Sequence, residues 1–436
     1  MNEPIPHDLG LQLPLPPGAL KFLLVLLFLL HILFVNFMVG GHTLALLFEL
    51  AGLKKQKYDK LAKEISKTIT VNKSLAVVLG VAPLLVINLA YTTYFYSATS
   101  LTGIAWIMVI PLVTLAFLLT YLYSYSWQRW QGDHKTLHII VGVMAAILFW
   151  TIPLIFLANV NLMLFPSRWL TVSGFLSALS LPNVLPRYFH FLLATVAVTA
   201  LFAVPYFGRQ KFDLESRLPG FERNEIKRLF YRIAFFVTLF QFMAGPLLLF
   251  TLPVQGISWE LYGVILIGVI SAITFMILVW NEIRPDNPRV GRFFGLVVVL
   301  LTTTVVAMAY GRHIYRDRAI EPHHEAMLER TQEFYWASEA ARARVRMGIT
   351  QQTFGSGGEK AFEQNCSVCH AMDMTLVGPS LTEIYEIYEN DIEAIVTWSK
   401  DPGVKRGGAP MPAFKHLGDE TLTEIAEYML SLMGAE

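Results

Sequence analysis

Long apolar stretches alternate with short polar ones along the first three quarters of the chain. A helix needs about 20 apolar residues to cross a bilayer. About eight runs meet that length: roughly 20–50, 74–97, 103–127, 137–160, 188–208, 229–253, 259–281 and 293–311. A further apolar piece near 169–182 is too brief to span and is expected to lie in the interface or to re-enter. After Tyr310 the pattern breaks. Residues 312–350 are charged and helix-forming, with Glu325, Glu329, Arg330, Glu339, Arg342, Arg344 and Arg346, and read as a solvated connecting helix. A Gly-rich hinge, Phe354-Gly355-Ser356-Gly357-Gly358, then opens a domain of about 80 residues. Its closing segment, 418–434, carries Leu422, Ile425, Tyr428, Met429 and Leu432 on one helical face. The predicted fold is all-α: a polytopic helical membrane bundle over 1–311, a helical linker over 312–352 and a small all-α domain over 353–436.

Composition agrees with a membrane chain. It is 54% hydrophobic and 15% charged, where a soluble domain is about 25% charged. A net charge of +1 leaves no basic field for nucleic acid. The distribution of charge says more than its sum. Lys54, Lys55, Lys57, Lys60, Lys63, Lys67 and Lys73 follow the first run; Arg129 and Lys135 follow the third. Arg209, Lys211, Arg217, Arg223, Lys227 and Arg228 follow the fifth, and Arg284, Arg289 and Arg292 the seventh. The alternate connections hold only Arg168 and Arg187. Positive charge marks the cytoplasmic side. The N-terminus and, after an even number of spans, the C-terminal domain are therefore expected outside, in the periplasm of a bacterial inner membrane. The first 18 residues lack a basic n-region and a small-residue cleavage site, so the first span is expected to insert uncleaved.

The two cysteines of the chain, Cys366 and Cys369, stand together in Cys366-Ser-Val-Cys369-His370. C-x-x-C-H is the pattern of c-type haem attachment. Two thiols three positions apart can both reach the vinyl groups of one porphyrin, and the adjacent imidazole can bind its iron. Two cysteines and one histidine are too few for a structural zinc site, and no βαβ setting supports a thioredoxin-like pair. Met411, in the Pro-flanked Gly407-Gly408-Ala409-Pro410-Met411-Pro412, is the candidate sixth ligand, and His/Met ligation raises a haem's potential. Gly378-Pro379 falls where a loop carbonyl could hold His370. The whole arrangement resembles a class I cytochrome c domain over about 357–436.

Histidines within spans are costly and mark function or pairing. His31 and His42 share one face of the first span, roughly 16 Å apart along its axis. His134 and His138 begin the fourth span, His190 opens the fifth and His313 follows the eighth. Glu49, near the inner end of span one, reads as a carboxylate snorkelling to the interface. The stretch His31 to Glu49 (HILFVNFMVGGHTLALLFE) is similar to the opening span of the large subunit of cytochrome bd quinol oxidases. VNKSLAVVLGV after Tyr58, Asp133–Met163, Arg187-Tyr188-Phe189-His190 and Ala309-Tyr310-Gly311-Arg312 resemble further parts of that family in order. The resemblance implies that His31 and His190 ligate b-type haem. Met243, Met276, Met308 and His313 are open candidates to pair with His190. The run Val109-Ile110-Pro111-Leu112-Val113-Thr114 holds no acid, where the family has glutamates near its oxygen-reducing haem.

The expected function is respiratory electron transfer between a membrane donor, quinol through b-type haem, and a soluble periplasmic cytochrome through the covalent c haem. The alternatives are a terminal reductase of oxygen or a nitrogen oxide fed by its own cytochrome c domain, or a non-catalytic relay subunit of a larger respiratory complex. Membrane lipid and further respiratory subunits are the other expected partners.

Overall fold

The computed structural model describes residue 8 and residues 13–346, 357–403 and 411–433, with the side chains of 70–75 and 344–346 left out. Among the described residues there are helices and no strands. The first compact unit spans Met1–Phe334 and the second Tyr335–Glu436. The first holds α1 (Pro17–Gly52), α2 (Gln56–Ala90), α3 (Thr92–Thr102), α4 (Ile104–Tyr125), α5 (Lys135–Leu162), α6 (Phe175–Leu179), α7 (Val184–Gly208), α8 (Leu214–Arg217), α9 (Arg223–Phe250) and α10 (Trp259–Ile283). α11 (Phe294–Arg346) runs through the boundary between the units. The second unit adds α12 (Gly357–Asn365), α13 (Leu381–Tyr388), α14 (Ile392–Lys400) and α15 (Gly418–Met433).

Among the described residues seven helices are long and apolar enough to cross a membrane, and the count reaches eight if a bent pair forms one span. That pair occupies the second span expected at 74–97 and bends it: Ala76–Ala90 and Thr92–Thr102 meet at 113°. The break is at Tyr91 (φ −138°, ψ 42°). Its hydroxyl donates to Asp317 Oδ1 at 2.5 Å, a bond to α11 that no local pattern announces. The apolar piece after α5 is indeed too short to cross. It forms a 3-10 turn (Pro166–Thr171) and α6, and the buried Trp169 indole donates back to Leu162 O at 3.1 Å.

α1 is the axis of the bundle, packing along α2, α5 and α7, while α4 lies on α5 and α7 on α9. Polar side chains stitch these contacts: Thr199 Oγ1 of α7 donates to Asn36 O of α1 at 2.9 Å. Two hydrophobic cores lie along α1. One gathers Met38–Phe48 with Leu61, Tyr123, Phe207 and Phe230; the other gathers Leu20 and Leu24 with Tyr91, Trp169, Leu261 and Tyr315. Between them α1 (25–35), α7 (188–194) and α9 (239–250) contain no fully buried residue. The second core also corrects the reading of 312 onwards as solvated. Tyr315, Ala319, Ile320 and Met327 are buried in it, because α11 continues the span's inward face for several turns.

The four basic connections meet at one end of the unit, as alternate loops of a bundle must. Lys57 pairs with Glu225 at 2.8 Å, Arg217 with Glu64, and Lys135 with Asp59 at 2.5 Å. Lys227 and Arg228 donate to the carbonyls of Val290 (3.0 Å) and Asn287 (2.7 Å). The loop before α11 is held by Glu282, fully buried, which accepts from the N–H groups of Gly291 (2.6 Å) and Phe293 (3.0 Å).

At this end Glu49 does not snorkel. It is 0% exposed. Oε1 meets His138 Nδ1 at 2.5 Å and Lys135 Nζ at 2.6 Å, and Oε2 accepts from the Tyr123 hydroxyl at 2.6 Å. A carboxylate supplied with three partners has no need to reach water. His138 Nε2 lies 2.8 Å from Tyr123 O and its ring stacks on Tyr123 at 4.6 Å. The cluster therefore ties α1, α4 and α5 together.

In the second unit α15 is the central helix, touching α12, α13 and α14. Of the predicted face, Leu422, Ile425 and Met429 are buried with Phe362, Leu381, Ile384 and Ile395, while Tyr428 and Leu432 pack against them half-buried; Ala426 joins the core beside them. Gly357 and Gly358 belong to α12 rather than to a hinge. A Cβ on Gly358 would stand 1.9 Å from Glu424 O, so glycine is required for α12 to cross α15. The rest of the expected hinge, 354–356, lies outside the described residues.

Removing one partner of a buried ion pair costs about 3–5 kcal/mol, because the others are left uncompensated. Glu49→Ala is expected to destabilise the membrane unit by that order. The check is the thermal midpoint of the detergent-purified protein, which should fall; an unchanged midpoint contradicts the role given to the cluster.

Candidate functional site

The C-x-x-C-H segment follows directly from α12. Cys366 N–H and Ser367 N–H donate to Phe362 O (2.8 and 3.1 Å), and the N–H groups of Cys369 and His370 both donate to Cys366 O at 3.0 Å. These bonds wind the segment into a tight turn that carries both thiols and the imidazole. The two cysteines form no disulfide and are partly buried. Burial, with the neighbouring Cys369 adding to it, pushes the Cys366 thiol up to about 11. It is therefore a protonated thiol at neutral pH.

His370 is 9% exposed. Its Nδ1 lies 2.8 Å from Pro379 O, the bond anticipated from Gly378-Pro379. With Nδ1–H donating there, Nε2 is the nitrogen left to bind a metal, the arrangement that orients ligand histidines generally. The loop that supplies the carbonyl is pinned at both ends: Gly378 N–H donates to Cys369 O at 2.9 Å and Leu381 N–H to Ala371 O at 2.8 Å. Gly378 lies flat against the imidazole, and a Cβ there would stand 2.5 Å from His370 Cε1. Around this turn Val368, Met374, Leu376 and Val377 are exposed by 78, 62, 48 and 68%. So much apolar surface beside two thiols and an oriented imidazole fits a large flat apolar group such as a porphyrin.

Met411 is half-buried at the start of a segment whose Phe414 N–H donates to Ser399 O at 2.9 Å. The preceding Gly407–Pro410 lie outside the described residues. His416 is exposed.

The model of "Cytochrome C oxidase, cbb3-type, subunit III" matches residues 355–429. Cytochrome c6 of Porphyra purpurea is 37% identical over 93 residues, 20% of this chain and 80% of that protein. Cytochrome c6 of Cyanidium caldarium is 36% identical over 75 residues, 17% of this chain and 67% of that protein. The chain belongs to the cytochrome c family through its C-terminal domain. That cytochrome c domain is of the kind that carries covalent haem, and the matched residues include the turn at Cys366–His370.

The membrane unit has its own likeness. A chain of bd oxidase from Geobacillus thermodenitrificans superposes with a TM-score of 0.54 at 13% identity, covering 78% of this chain and 99% of that one. At that identity the likeness concerns fold, and the fold is that of the family resembled by the His31–Glu49 stretch. A bd-oxidase-like bundle joined to a cytochrome c domain makes the chain an integral membrane electron-transfer protein.

The membrane histidines separate into two kinds. His138 is fully engaged with Glu49 and Tyr123 at the basic end. His31 and His190 lie in the thinly packed layer between the two cores. His31 Nδ1 is 3.0 Å from Ala76 O, and the ring rests on Gly80 of α2, leaving Nε2 free for a further partner. His190 Nδ1 is buried with no hydrogen-bond partner. His42, on the same helix as His31, is fully buried, with Nε2 3.0 Å from Gly142 O of α5. The two rings thus reach different helices. His313 sits 3.6 Å from Asp317. Of the methionines considered beside His190, Met276 is buried and Met243 is 68% exposed.

Sequence reasoning treated Arg187 as one of the few charges outside the basic loops. The structure makes it a buried side chain one turn from His190. Arg316, Asp317 and Lys21, gathered at the same end of the unit, were not singled out at all. The available signal was the cluster Arg312-His313-Ile314-Tyr315-Arg316-Asp317-Arg318 directly after an apolar span, too close to the membrane to be a plain linker.

Two measurements test the cytochrome site. Gly378→Ala should destabilise the C-terminal domain by about 1–3 kcal/mol through overpacking, read as earlier loss of the c-type absorbance in a denaturant titration. In protein made without haem attachment, the alkylation rate of Cys366 should rise about tenfold per pH unit up to about pH 11, because the thiolate is the reacting form. A plateau near pH 8.5 would contradict the burial of that thiol.

Proposed function

We propose that the chain passes electrons between quinol in the membrane and a soluble periplasmic acceptor, through b-type haem in the bundle and the covalent haem of the cytochrome c domain. Bound haem supplies the one-electron chemistry. The chain's own residues fix where that chemistry occurs. Cys366 and Cys369 anchor the porphyrin edge as thioethers. His370 would hold the iron through Nε2, its ring oriented by the Pro379 carbonyl, and Met411 would serve as the second protein ligand, a pairing that raises the potential. In the bundle His190 and His31 hold b-type haem in the layer between the two cores. The single observation that carries the reading is the His370–Pro379 bond beside Cys366 and Cys369, in a chain whose remaining helices have a bd-oxidase fold.

The basic end faces the cytoplasm on this reading, so the cytochrome c domain stands in the periplasm. Joining it to the bundle keeps its concentration near the membrane haem high without a new contact. The matched family is described as a subunit of an oxidase, which supports partnership with further respiratory subunits.

A pyridine haemochrome spectrum of the purified full-length protein is the decisive test. Signals of both b and c haem are expected, with reduction of the c band when quinol is added. A c signal alone would reduce the chain to a relay subunit, and a chlorin band with oxygen uptake would make it a terminal reductase. His190→Ala should remove at least one b-type equivalent and leave the c signal whole. Cleavage of the C-terminal domain by protease added to intact spheroplasts is expected from the same orientation.

A further inference from the structure

A guanidinium buried among membrane helices calls for a counter-ion from inside the protein. At the end of the unit opposite the basic loops, several such groups have too few. Arg187 of α7 is 7% exposed, and both of its terminal nitrogens are shut from water with no hydrogen-bond partner. Its Cζ lies 5.4 Å from the centre of the Tyr315 ring. Arg316 of α11 is 6% exposed, stands 4.8 Å over Tyr91, and leaves its Nε without a partner. Arg312, one turn earlier, stands 4.7 Å over Phe28. The three cations are close enough to repel one another.

The carboxylates nearby are already engaged. Asp317 gives Oδ2 to Lys21 at 2.6 Å and Oδ1 to the Tyr91 hydroxyl at 2.5 Å, with His313 at 3.6 Å. Glu260 faces Arg318 at 3.7 Å and the Tyr310 hydroxyl at 3.4 Å. None of these bonds reaches Arg187. The contrast with the other end is plain: there Glu49 has three partners, while here, among the described residues, the cations outnumber their anions. Three residues beyond Arg187, on the same face of α7, His190 presents a buried Nδ1 that also has no partner. One turn of one helix therefore carries a cation without an anion beside an imidazole without a partner.

We propose that Arg187 and Arg316 hold the carboxylates of the porphyrin whose iron His190 binds. The inference rests on the b-haem reading of His190 given above. A porphyrin carries its carboxylates on one edge and its iron at the centre, so it needs a cation set apart from its axial ligand. The planar fork of arginine matches a carboxylate with two parallel bonds. A lipid headgroup would offer phosphate to the same donors, but Arg187 and Arg316 are buried within the helices rather than set at a lipid-facing rim. Cations at the carboxylates stabilise the reduced, less positive haem, so these residues also set its potential.

The test uses the full-length protein with Arg187→Gln, Arg316→Gln, the double variant and Arg187→Lys. Haem b per haem c comes from the pyridine haemochrome and both midpoints from spectroelectrochemistry. The glutamine variants are expected to shift the b-haem equilibrium at least tenfold toward the oxidised form, about 59 mV downward for a one-electron couple. The c-haem midpoint stays fixed, and Arg187→Lys lies closer to the parent. Loss of the b signal in Arg187→Gln with its return in Arg187→Lys supports the same assignment. Full b content with an unmoved b midpoint in the single and double glutamine variants overturns it. Absence of b haem from the parent protein is a separate outcome: it refutes the haem reading of His190 before any arginine is changed, and the inference falls with it.

Discussion

A charge held inside a lipid-embedded bundle has to be matched from within the bundle. Moving a carboxylate or guanidinium out of water costs several kcal/mol after relaxation, more than a typical helix contact returns. The membrane unit is organised around that constraint. At its basic end Glu49 satisfies Lys135, His138 and Tyr123 at once, and so determines how α1, α4 and α5 meet. At the other end Asp317 binds Lys21 and Tyr91, and the second span turns through 113° at the residue that makes the bond. Carboxylates paired across helices thus stand both where helices touch and where one of them breaks.

The cytochrome c domain works under a different constraint, that of small size. Its core is a handful of side chains around α15, with Phe362, Leu381 and Ile425 among them. Much apolar surface near the attachment turn faces outward. A core this small gains from covalent or cofactor support, and a bound porphyrin would add to its stability as well as perform the chemistry. The turn from Cys366 to His370 and the loop from Gly378 to Leu381 cross-bond to each other, so the ligand geometry is built before any porphyrin is considered.

Much of this was legible in one dimension because it is local. Apolar run length predicts the spans, and C-x-x-C-H with Gly378-Pro379 predicts the turn and the carbonyl that holds His370. The bias of basic residues foretold that four loops share one end. What escaped was long-range pairing. Glu49 and His138 are 89 positions apart, Tyr91 and Asp317 226 apart, and neither pair follows a helical period. The same limit misjudged the start of 312–350 as solvated. Its charged residues are conspicuous in a row of letters, whereas the buried face formed by Tyr315, Ala319 and Ile320 appears only once neighbours are present.

The membrane unit has two hydrophobic cores threaded by the same helices, with a thinly packed layer between them. Mechanically this is a dumbbell. Heat or denaturant can loosen one lobe while the other persists, so melting would pass through a half-ordered species rather than a single all-or-none step. A rigid group seated in the waist would weld the lobes into one cooperative block and stabilise both by mass action. Cofactor loading would then govern the lifetime of the bundle as well as its redox capacity.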